Sequence, residues 1–91
     1  MVRSAAEHQE IRKKTNRLKK KMETLEEEIL KIEEDLELKN KDLEQIFMSN
    51  DGDKNTLISE HYKVVGQIQA GLQLKYADLE ALMLELESLN W

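Results

Sequence analysis

From Ile11 onward, apolar residues recur at alternating spacings of four and three for five heptads. Cut into sevens, the first half reads IRKKTNR, LKKKMET, LEEEILK, IEEDLEL, KNKDLEQ and a closing Ile46. That rhythm is the mark of an α-helix whose apolar seam is held against a partner helix, with Ile11 at a d position and Thr15 at an a position. The second half repeats it from Ile58. There the a positions are Ile58, Val65, Leu72, Leu79 and Leu86, and the d positions are His61, Ile68, Lys75, Leu82 and Leu89.

The 91-residue chain has no Pro, so nothing breaks a helix from inside, and 36% of its residues are charged against 4% aromatic. Such a composition belongs to coiled coils and long helices. The length allows one small domain. The expected architecture is all-α: one helix over about residues 5–48, a polar loop over 49–55, and a second helix over about 56–89. Ser4-Ala-Ala-Glu7 has the pattern of a capping box that starts the first helix. A short loop between two heptad helices makes them antiparallel neighbours. Folding about Gly52 then pairs Ile46 with Ile58, Leu36 with Ile68, Ile32 with Leu72, Leu25 with Leu79 and Leu18 with Leu86, each an a residue against a d residue. At 1.5 Å per residue the arm is roughly 50–60 Å long.

Three seam positions are wrong for a dry core. Lys39 is expected opposite Val65, Lys75 opposite Ile29 and His61 opposite Leu43. The lysine stems would lie along the seam with their ammonium groups in water, and Tyr76 would cover the gap beside Lys75. Lone polar seam residues also fix register. His61 reads as a satisfied or half-exposed histidine, since the other histidine, His8, is at the far end of the arm.

The loop, SNDGDKN at 49–55, invites a calcium reading. With Gly52 as the sixth residue of an EF-hand loop, Phe47 falls at the first ligand position and Ile58 at the twelfth, where acids are required. The stretch reads as a turn, with Gly52 at positive φ ending one helix and Asp53 or Asn55 capping the next. No metal site and no cofactor is implied. An acidic tip that reaches into a nucleic-acid polymerase, using Asp51 and Asp53, is a further, weaker reading.

Charge is distributed unevenly. Residues 1–22 carry a net +6 and residues 23–91 a net −11. Along the outer positions of the first helix, Arg12-Lys13-Lys14 and Lys19-Lys20-Lys21 give way to Glu26-Glu27-Glu28 and Glu33-Glu34-Asp35, and Arg17 extends the basic part. These seven cations form a candidate phosphate-binding patch. The competing reading is a solvated face balanced by Glu85 and Glu87, with Lys21 approaching Glu85. No aromatic residue interleaves the cations, so base stacking on them is unsupported. On the second helix, Ala70, Leu74, Ala77, Ala81 and Leu84 fall opposite the seam and form an outer apolar stripe suited to docking or dimerisation.

Catalysis lacks its parts. There is no cysteine, no phosphate-binding glycine loop, and no set of nucleophile and base to place in a pocket that a two-helix arm would not form. No apolar run is long enough to span a bilayer, and MVRSAAEHQE lacks the apolar core of a signal peptide.

The run IRKKTNRLKKKMETLEEEILKIEEDLELKNKDLEQIF, then a loop, then a helix containing KYADLEALMLELE, resembles the C-terminal extension of ABC-F proteins, which are soluble tandem ATP-binding-cassette ATPases. Tyr76, Glu80 and Leu82 match the family's ending, while Leu79 stands where the family often has Trp, and the family's Asp-Pro-aromatic loop is absent. The resemblance covers about residues 9–89. It implies a fragment of a larger cytoplasmic ATPase that acts around the ribosome and translation, its ATP sites lying in ATPase domains outside this chain. It also implies nucleic-acid binding at Arg12, Lys13, Lys14, Arg17, Lys19, Lys20 and Lys21. The alternative function is a structural interaction or homodimerisation module that docks through the outer stripe.

Overall fold

The computed structural model describes residues 4–50 and 52–89. It is a helical hairpin: α1 spans Ala5–Met48 and α2 spans Lys54–Leu89. The two pack side by side along a rod of 72 × 15 × 12 Å. The rod is longer than the 50–60 Å expected for the paired arm because α1, at 44 residues, outruns the 36 residues of α2. α2 also begins two residues earlier than the expected start near residue 56.

Each helix end has its own solution for the backbone groups a helix leaves unpaired. At the start of α1 the Ser4 hydroxyl accepts the Glu7 N–H at 3.2 Å and the Ser4 carbonyl accepts the His8 N–H at 3.0 Å. At its end the chain leaves the helix at Ser49, whose backbone is extended (φ −79°, ψ 156°). The Ser49 N–H and hydroxyl both donate to the Ile46 carbonyl, at 3.2 and 2.8 Å. Lys54 reaches back across the turn and donates to the Phe47 carbonyl, setting a cation at the negative end of the α1 dipole. These contacts replace the expected glycine stop: no described glycine has positive φ, so Gly52 turns the chain in an ordinary backbone conformation. Asp53, not Asn55, takes the cap position of α2, its carbonyl accepting the Leu57 N–H at 3.0 Å. Asn55 is already inside the helix. Asp51 lies outside the described residues.

Every seam position from Ile11 to Ile46, and from Ile58 to Leu89, is buried or half-buried, while the rest of the surface is mostly exposed. Leu18, Ile29 and Leu72 are the best covered, at 5%, 6% and 8% exposure. Among the described residues no large side chain is fully enclosed, because two helices cover a seam from one side only. His61 is buried too, at 8% exposure, more deeply than the half-exposed position the sequence allowed. Its ring meets Tyr62 edge-on, with centroids 5.7 Å apart. Among the described residues no side-chain nitrogen or oxygen is both sealed from solvent and without a partner.

Away from the turn, three polar contacts among the described residues tie the helices together and bracket the register in which Ile29 faces Lys75. Lys14 approaches Glu85 at 3.9 Å, Lys75 donates to Glu28 at 2.6 Å, and the Tyr76 hydroxyl donates to Glu33 at 2.7 Å. Lys75 was expected to direct its ammonium to water. A carboxylate on the neighbouring α1 position intercepts it, which removes part of the cost of a cation at the seam.

Candidate nucleic-acid interface

α1 sets out the basic residues by helical geometry. Lys13 and Lys20 share one heptad position, Arg12 and Lys19 a second, Lys14 and Lys21 a third, and Arg17 a fourth on the outer face. A side chain repeats on the same face every seven residues, about 10 Å along the axis. The result is a collar of cations around more than half of α1, close to the end of the rod where the two chain termini lie. All seven are exposed.

Neutralisation within the hairpin is slight. Among the described residues, Glu85 is the one carboxylate within ion-pair distance of any of the seven, and its partner is Lys14 at a long 3.9 Å. The expected Lys21–Glu85 approach does not occur. Heptad letters say which rows of residues meet, but the stagger between the rows chooses the partner, and here it favours Lys14, one heptad nearer the open end. Lys21 instead borders a shallow groove between the helices, lined by Arg17, Lys20, Lys21, Thr24 and Asp78 over a floor of Leu25 and Leu82. A second shallow depression lies along α1 between Lys13, Asn16, Arg17 and Lys20. Both are open to solvent and too shallow to enclose a small molecule.

Beyond the collar, α1 turns acidic, and its acids do structural work that sequence reasoning missed. Glu28 holds Lys75 and Glu33 holds Tyr76. The signal was available, since both glutamates flank the seam, but the spacing alone does not say that they reach across it. The hydrogen bond to Glu33, together with some desolvation and the repulsion a phenolate would feel from that carboxylate, holds the Tyr76 phenol above its usual value near 10.

The outer stripe of α2 is exposed along its whole length. Ala70, Ala77 and Ala81 face solvent, with Leu74 70% and Leu84 59% exposed. Tyr62, Val64 and Met83 widen the apolar surface at its edges. The collar and the stripe are thus on different helices, and the fold does not bring them into one site. Among the described residues there is no group of three or more His, Asp or Glu arranged to hold a metal ion, and no helix is long and apolar enough to cross a membrane.

Comparisons with protein-family models, with curated proteins and with solved structures find no match.

Proposed function

We propose that this chain is a non-catalytic, cytoplasmic module, the C-terminal regulatory extension of an ABC-F-type ATPase, that binds the phosphate backbone of nucleic acid or ribosomal RNA through the basic collar of α1. One observation carries the reading. Of Arg12, Lys13, Lys14, Arg17, Lys19, Lys20 and Lys21, only Lys14 has a carboxylate within ion-pair distance among the described residues. A self-balancing face would have spent these charges on its own acids. Unspent cations at regular helical spacing attract a polyanion by releasing its condensed counterions. Aromatic side chains are missing from the collar, which favours grip on the backbone over stacking on bases. The acidic remainder of α1 orients the rod by repelling the same polyanion, so that only the open end approaches it.

The test is fluorescence anisotropy with labelled structured RNA, duplex DNA and single-stranded DNA. Wild type is compared with a variant in which Arg12, Lys13, Lys14, Lys19, Lys20 and Lys21 are changed to Glu. Micromolar binding to at least one probe, lost in a variant that keeps its helicity, is the expected outcome. Absence of binding to every probe at low salt refutes the reading.

A further inference from the structure

The stretch Val64–Leu74 contains no charged residue, in a chain of which 36% is charged. Its outer side continues into Ala77, Ala81 and Leu84, so α2 presents a long face opposite the seam on which Glu80 is the one charged residue between Lys63 and Glu87. Two glycines, Gly66 and Gly71, interrupt this helix, and each weakens it relative to alanine. Nothing in the hairpin calls for them, because a Cβ added at Gly66 or Gly71 would meet no atom within 4 Å.

We propose that this face is the contact between two copies of the chain, packed antiparallel about a two-fold axis near Lys75 and Tyr76. Charge and side-chain size on the face itself select this occupant and this direction. An isologous contact must be complementary to itself. In the antiparallel register that sets residue n against residue 151 − n, Leu74 meets Ala77 and Ala70 meets Ala81, a large residue or a small one filling what its partner leaves. Leu84 comes over Gln67 beside Gly66, where the missing side chain admits it. Lys63 lies against Ser88 and next to Glu87, so the one cation on the outer face meets the partner's acid. A parallel copy would place Lys63 on Lys63, Glu87 on Glu87 and Leu74 on Leu74, repelling at both ends and leaving the alanines apart. The contact uses one helix face about 38 Å long and roughly 10 Å wide per copy, on the order of half the roughly 800 Å² per partner of a standard stable interface, and the dimer is accordingly weak and reversible. It leaves the collar of α1 uncovered and stands independently of the phosphate-binding reading.

Sedimentation equilibrium up to about 0.5 mM, the range in which a weak dimer populates, reads the association. Leu74→Glu, at a position exposed enough to leave the hairpin folded, is expected to weaken it at least tenfold. Lys63→Glu and Glu87→Lys are each expected to weaken it several-fold, and the double exchange to restore it. The chain has no cysteine, so Gln67→Cys with Leu84→Cys is expected to give an oxidised dimer. Gln67→Cys alone should not, since the two copies of residue 67 are about 25 Å apart in this register. A chain that stays monomeric throughout the range overturns the proposal. So does a dimer indifferent to Leu74→Glu, or one that cross-links through Gln67→Cys alone.

Discussion

α1 and α2 share one seam and differ in the balance of charge and apolar surface they show to water. The outer surface of α1 is cationic at Arg12–Lys21 and anionic at Glu26–Asp35, with exposed Leu30 and Leu38 among its charges and Phe47 and Met48 at its end. The outer surface of α2 is neutral from Val64 to Leu74 and carries exposed Leu74, Met83 and Leu84. The seam asks the same of both helices, an apolar residue every three or four positions, and both comply except at Thr15 and Lys39 in α1 and His61 and Lys75 in α2. The other positions are free of that demand, and our two proposals rest on their divergence: a polyanion bound along α1 and a second copy docked along α2.

The comparison breaks most visibly if binding follows overall charge rather than the collar. Changing Lys13, Lys19 and Lys20 to Gln alters the net charge by as much as changing Gln67, Gln69 and Gln73 to Glu. The first set is expected to weaken RNA or DNA binding tenfold or more, and the second only a few-fold, as read by anisotropy at low salt. Equal losses would mean that position on α1 is irrelevant.

A pair of substitutions on α2 separates its two faces. Leu72→Ala removes a buried seam side chain and should cost about 2–4 kcal/mol in urea unfolding. Leu74→Ala, two residues on and 70% exposed, should cost less than about 0.5 kcal/mol in dilute solution, where the chain is monomeric. Lys75→Leu sharpens the account of the seam. An apolar residue opposite Ile29 should stabilise the hairpin by roughly 1 kcal/mol despite losing the contact with Glu28, which is itself partly exposed.

The smallest expected effect lies at Tyr76. Its phenol titrates above the usual value in the folded state, so the hairpin keeps this proton where the unfolded chain has lost it. The contribution is fully present below about pH 10 and disappears as the pH rises through the raised value. Ultraviolet titration of the phenolate should show Tyr76 ionising at lower pH in Glu33→Gln than in wild type, and no difference would exclude the Glu33 contact.

The seam was legible in the sequence because burial on one helix face imposes a period that few other structures share, and each assigned position from Ile11 to Leu89 is covered. The antiparallel direction followed from the short loop. The turn itself was less legible. A glycine flanked by acids suggested a positive-φ stop, whereas Ser49 and Lys54 close the helix end with side-chain bonds, a choice among local contacts of similar energy. Long side chains were the other gap. Whether Lys75 points to water or to Glu28, and whether Glu85 meets Lys14 or Lys21, depends on a stagger of a few ångströms that a heptad pattern does not encode. The collar could be read as a row of cations, but its near lack of internal partners became visible only once the acids of α2 had positions.

The most direct test of the central claim is the salt dependence of RNA and duplex DNA binding by the intact hairpin. Seven cations gripping phosphates predict that the logarithm of affinity falls linearly with the logarithm of salt concentration. On duplex DNA the slope should be clearly negative and no steeper than roughly −6. Affinity that is indifferent to salt, or undetectable at the lowest salt used, would contradict the assignment of the collar as a phosphate-binding surface.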